Sequence, residues 1–124
     1  MPFVMKNPEN AAVPQAPEPR DPWETAIFAA ELGHAPQIDL HGMPSHEALG
    51  ELERFLNHEF LAGTEVVKII HGRGRGILRQ AIRKALKEHE LVARFRDADN
   101  PAQKGGVTYA ALHSKDRPSE PRPR

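Results

Sequence analysis

Six short segments switch between a two-residue and a 3.6-residue apolar period. Gln37-Ile38-Asp39-Leu40-His41 alternates polar and apolar side chains, the pattern of a strand with one buried face. Gly42 to Pro44 breaks the pattern, and Ser45 is a helix-capping residue type. Leu49, Leu52, Leu56 and Phe60 then recur at spacings of three and four, which predicts an amphipathic helix over 46–61, stopped by Gly63. Val66 to Ile70 is short, β-branched and bounded by glycines, as a buried strand is. Ile77, Leu78, Ala81, Ile82, Ala85 and Leu86 make the apolar stripe of a second helix over 76–89. Val92–Arg96 and Val107–Leu112 read as two further strands, with Asp97 to Gly106 as the loop between them. The order β-α-β-α-β-β predicts a two-layer α/β sandwich with a four-stranded mixed sheet and two helices. The final pair has no crossover helix and is expected to be antiparallel.

Proline marks the edges of this domain. Seven of the 12 prolines fall in residues 1–36 and three more in 118–123. Such sequence buries too little apolar surface to offset its ordering entropy. The expected organisation is therefore a flexible Pro-rich extension over 1–36, a folded domain over 37–113, and a flexible basic tail over 114–124. One segment of the extension departs from this. Asp21-Pro22-Trp23-Glu24 has the cap, proline and acidic residue of a helix start. Trp23, Ala26, Ile27 and Ala30 follow at helical spacing and Gly33 suits a stop. A short helix over 22–32 is expected, docked on the domain or on a partner.

Charge sharpens the picture only when divided by region. The chain has 17 basic and 17 acidic residues. Residues 1–35 are net −3, residues 36–113 net +1 and residues 114–124 net +2. Within the domain, residues 66–87 carry Lys68, Arg73, Arg75, Arg79, Arg83, Lys84 and Lys87 and no acid. The absence of cysteine excludes disulfides, thiolate metal sites and a cysteine nucleophile. No apolar run reaches the ~20 residues of a membrane helix, and the N-terminus has no secretory pattern. A cytoplasmic monomer without membrane contact is the expectation.

Two motifs carry candidate chemistry. Asp39 and His41 are two apart at a strand end, so both side chains project to one face. A carboxylate beside an imidazole fixes its tautomer for acid–base work. His71-Gly72-Arg73-Gly74-Arg75-Gly76 lies between a strand and a helix, where glycines let backbone N–H groups approach a phosphate. It is neither a Walker loop nor a dinucleotide fingerprint. Both motifs follow parallel strands, whose carboxyl ends are where open α/β sheets bind ligands. Lys104-Gly105-Gly106 before the last strand permits a further close backbone approach. The arginines beside the histidines favour an anion over a cation, so no metal site is assigned.

These residues resemble those of the Smr (small MutS-related) domain, in its standalone bacterial form. Ile38-Asp39-Leu40-His41-Gly42 matches the family's strand-end motif, and His71-Gly72-Arg73-Gly74 its His-Gly-x-Gly motif. Gly105-Gly106-Val107-Thr108 matches a shortened form of its late glycine segment. The resemblance implies a sandwich like the C-terminal domain of translation initiation factor three. It also implies nucleic-acid binding, with endonuclease activity on DNA or RNA.

On RNA, one histidine of the pair His41 and His71 would take the 2′-OH proton and the other would protonate the leaving oxygen. Asp39 would orient His41. Gly72, Arg73, Gly74, Arg75, Arg79, Arg83, Lys104, Gly105 and Gly106 would hold the backbone. DNA offers no 2′-OH, so nicking would call for an activated water and Mg²⁺. The alternative is a non-catalytic module that binds nucleic acid or the ribosome through the same cations.

Overall fold

A computed structural model of the chain describes residues 21–115. The expected flexibility of 1–20 and 116–124 falls outside the described residues. The elements are α1 (Pro22–Leu32), β1 (Gln37–Asp39), α2 (Ser45–Leu61), β2 (Val66–Ile70), α3 (Ile77–Glu88), β3 (Val92–Asp97) and β4 (Val107–Leu112). The sheet order is β1-β2-β4-β3. β1 runs parallel to β2, with Asp39 beside Ile70. β4 is antiparallel to both β2 and β3. This is the mixed sheet and antiparallel final pair that the sequence predicts.

The two-residue period of β2 and β4 sorts their side chains onto two faces. Val67, Ile69, Ala110 and Leu112 face Leu52 and Leu56 of α2 and Ile82 and Leu86 of α3, together with Leu40. This is the main core and the expected α/β sandwich. Val66, Val107, Tyr109 and Ala111 face the other way, where Ile27 of α1 is fully buried. The extension helix therefore covers the second sheet face of its own chain. Asp21 caps it, accepting the Glu24 N–H at 3.2 Å, and Trp23 meets His113 edge to face at 5.7 Å.

Two local expectations change. Ser45 is not the cap of α2 but its first residue, and Pro44 occupies the cap with no side-chain bond. Glu47 in the first turn supplies the favourable negative charge instead. Ile77 continues the α3 stripe by period, yet 63% of it is exposed.

Candidate active site

Asp39 is the last residue of β1, and Leu40 continues the pairing by donating its N–H to Ile70 O at 2.7 Å. The chain then turns, and His41 folds back on Asp39. His41 Nδ1–H and His41 N–H both meet Asp39 Oδ1, at 2.6 and 3.1 Å. Because the carboxylate takes Nδ1, the proton-accepting nitrogen of neutral His41 is Nε2. Both side chains are open to solvent, His41 by 68% and Asp39 by 50%. The hydrogen bond from the His41 side chain, followed by that from its backbone, holds the Asp39 carboxyl below the ordinary carboxylate value.

The second motif follows β2 directly. Gly72 adopts φ +80° and lies against His41, whose Cβ would be 3.2 Å from any Cβ added at residue 72. This position needs glycine twice over, for a left-handed backbone and for the close approach. The loop and the first turn of α3 line a cleft of about 280 Å³ with Gly42, Met43 and His71. Arg73, Arg75 and Arg79 are its charged lining residues, and no carboxylate lines it. Gly76 begins α3 with no side-chain cap, so first-turn N–H groups remain for a ligand. An electropositive, backbone-lined cleft suits a phosphate group. It does not suit Mg²⁺, which asks for carboxylate oxygens.

His71 lies deeper than the sequence implied. Its ring is 3% exposed, with Nδ1 3.0 Å from Gly72 O and Nε2 2.9 Å from Thr108 Oγ1. A carbonyl only accepts, so Nδ1 carries the proton and Nε2 accepts from the Thr108 hydroxyl. Burial pushes the His71 pKa down, against the Gly72 bond that raises it, and the ring is neutral. Both nitrogens have partners within the protein, so His71 ties the loop to β4 at the cleft it lines.

The cations also divide. Arg79 and Arg83 both bond Asp97, Arg83 at 3.0 Å, across the gap from α3 to β3. Burial works to raise the Asp97 pKa, but these two arginines outweigh it and hold the carboxyl low. They are internal partners before they are phosphate ligands. Arg73 donates to Lys104 O at 2.9 Å and Ala102 O at 3.0 Å. These neutral acceptors pin the guanidinium without cancelling its charge. Arg75 and Lys104 are exposed. Gly106 O accepts the N–H groups of His71 and Gly72, both at 3.0 Å, so Gly105-Gly106 lies against the loop as the sequence suggested.

Sequence reasoning missed Glu31. Its side chain is 9% exposed and binds Arg96 and two backbone N–H groups of the 97–107 connection. One signal was visible: a carboxylate in the last turn of α1, where the helix dipole disfavours it.

The geometry defines an α/β domain that sets an arginine- and glycine-rich anion loop beside an exposed carboxylate–imidazole pair. A family model for the Smr domain matches residues 38–113, and the chain belongs to the Smr family. Endonuclease MutS2 of Caldicellulosiruptor saccharolyticus is 43% identical over 75 residues, which are 60% of this chain and 10% of that protein. Endonuclease MutS2 of Thermus thermophilus is 37% identical over 109 residues, 87% of this chain and 14% of that protein. The chain thus spans about a tenth of the length of these curated relatives. The crystal structure of the Smr domain of Thermus thermophilus MutS2 matches with a TM-score of 0.61 and 39% identity, over 64% of this chain and 99% of that one. YdaL, a stand-alone small MutS-related protein from Escherichia coli, matches with a TM-score of 0.63 and 24% identity, a likeness of fold. No helix among the described residues is long and apolar enough to cross a membrane.

Proposed function

We propose that this Smr-family protein is an endonuclease that cleaves RNA without a metal ion, with Asp39 and His41 as its catalytic pair. The observation that carries the reading is the 2.6 Å contact of His41 Nδ1 with Asp39, which leaves Nε2 as the unengaged nitrogen of an exposed ring whose Cβ lies against Gly72 of the anion loop. His41 Nε2 takes the 2′-OH proton, and the freed oxygen attacks the adjacent phosphorus. The 5′-oxygen leaves and takes a proton from water, because His71 is buried and occupied. Asp39 stabilises the imidazolium that forms. Arg73 and the loop N–H groups meet the charge that builds on the phosphoryl oxygens. The product is a 2′,3′-cyclic phosphate. Arg75 and Lys104 supply sequence-independent phosphate contacts. The endonuclease names of the MutS2 relatives agree with this class of activity.

A second reading is a module that binds nucleic acid or the ribosome without turnover, as a monomer in the cytoplasm. It is favoured by the exposure of Arg75 and Lys104 and by the cleft lining, whose one imidazole is the buried and partnered His71 and which includes neither Asp39 nor His41. DNA nicking with Mg²⁺ would need carboxylates that the cleft lining lacks. Incubation with end-labelled RNA and with supercoiled plasmid, each with and without EDTA, separates these readings. RNA cleavage that survives EDTA and is lost in Asp39→Ala and His41→Ala is the expected result. Nicking of plasmid alone, only with Mg²⁺, or equal cleavage by the variants would overturn it.

A further inference from the structure

The connection 98–106 is hydrogen-bonded to the glycine- and arginine-rich loop of the proposed site and is itself anchored from outside the matched family region. Glu31 on α1 accepts the N–H groups of Asp99 and Asn100 through Oε2, at 2.6 and 2.7 Å. Its Oε1 accepts from Arg96 Nη1 at 3.0 Å. Inside the connection, Asn100 O takes the N–H groups of Gln103 and Lys104, and Asn100 Oδ1 that of Ala102. The far end presents Lys104 O and Ala102 O to Arg73 and Gly106 O to His71 and Gly72. Hydrogen bonds therefore run unbroken from the α1 carboxylate to the loop that holds the phosphate. α1 itself is held in place by the buried Ile27.

We infer that Glu31 is a positioning residue for substrate binding: through Asp99 and Asn100 it sets the 98–106 connection so that Arg73 and Lys104 stand where the RNA backbone docks. The inference rests on the proposed nuclease reading. It makes α1 a working part of the site and not only a cover for the sheet. Glu31 is too far along this chain of contacts to touch the reacting atoms, and Asp39 and His41 take no bond from the connection. Its loss should therefore weaken binding and leave the chemical step nearly intact.

Three substitutions at this contact separate positioning from simple stabilisation. Glu31→Ala removes both the loop anchor and the Arg96 partner. Arg96→Met removes this ion pair, along with those to Glu24 and Asp99 and the bond to Asp97 O, while Glu31 keeps both backbone N–H groups. Glu31→Gln keeps one carbonyl oxygen for those N–H groups and loses the charge. RNA cleavage is measured with the full chain, well below the midpoint of thermal unfolding of each variant. Glu31→Ala should raise KM about tenfold, as a competent loop position becomes the minor one, with kcat within about twofold of the parent. Glu31→Gln should recover most of that KM and Arg96→Met should keep the parental value, whatever either does to the melting temperature. Amide hydrogen exchange should quicken at residues 99–106 in Glu31→Ala alone. An unchanged KM in Glu31→Ala, or an equal rise in Arg96→Met, overturns the inference while the nuclease reading stands. No binding or cleavage of RNA by the parent protein overturns the nuclease reading and this inference with it.

Discussion

Gly72→Ala tests whether the two motifs really meet. Gly72 and Gly63 share a left-handed backbone, with φ +80° and +84°. A Cβ on Gly63 would meet nothing within 4 Å, whereas one on Gly72 would lie 3.2 Å from His41 Cβ. The left-handed conformation costs an alanine roughly 1–2 kcal/mol, partly offset by the lower entropy of the unfolded chain, about 0.4–1 kcal/mol. Gly63→Ala should therefore lose about 1 kcal/mol in urea unfolding. Gly72→Ala carries the same backbone cost plus a crowded contact, whose relief adds about 1 kcal/mol. Relief means that His41 moves by a few tenths of an ångström from the loop. Catalytic geometry is steep enough that about a tenfold fall in RNA cleavage should follow, while Gly63→Ala cleaves as the parent does. Equal stability losses with unaltered cleavage in Gly72→Ala would refute the contact between the loop and His41.

Further outcomes follow from how the charges are partnered. Arg75→Ala should lower the salt dependence of RNA binding by about 0.7 in the log–log slope, one phosphate contact on a single strand, with stability unchanged in urea. Arg79→Ala should do the reverse, costing about 1–2 kcal/mol because Asp97 loses a charged hydrogen-bond partner in a half-buried place, and leaving the salt slope near the parental value. His71 is kept neutral by burial, with its pKa below the ordinary 6.5. The unfolded chain therefore binds a proton at this residue before the native state does, so the His71 contribution is full above pH 6.5 and declines as the pH falls below it. Urea midpoints measured from pH 7.5 down to 5 should fall less steeply in His71→Gln than in the parent protein.

What the sequence made legible was local. Asp39 and His41 are two residues apart and do meet at 2.6 Å, but through the turn that follows Asp39, where β1 ends, and not through the strand geometry expected over 37–41. The helix over 22–32 was visible from its cap, proline and apolar spacing, and its bounds agree with Pro22–Leu32. Its destination was not visible, because Ile27 finds Tyr109 and Val107 far along the chain. The same distance in sequence hid the partners of the cations. Asp97 neutralises Arg79 and Arg83 from 18 and 14 residues away. An acid-free stretch looked like a uniform phosphate-binding face, yet part of it pairs with an acid from the neighbouring strand. His71 read as a free acid–base group because its Thr108 partner lies 37 residues on. Period put Ile77 in the buried stripe, since helical spacing says which face a residue occupies but not whether anything covers that face at the first residue of the helix.

The chemistry of the RNA end that cleavage leaves tests the proposed mechanism most directly. The full-length protein is incubated with a short single-stranded RNA in EDTA, and the 3′ end of the 5′ fragment is analysed by mass spectrometry. A 2′,3′-cyclic phosphate, formed by the parent and absent from Asp39→Ala and His41→Ala, is the predicted result. A 3′-hydroxyl with a 5′-phosphate on the downstream fragment, appearing only when Mg²⁺ is supplied, would contradict it.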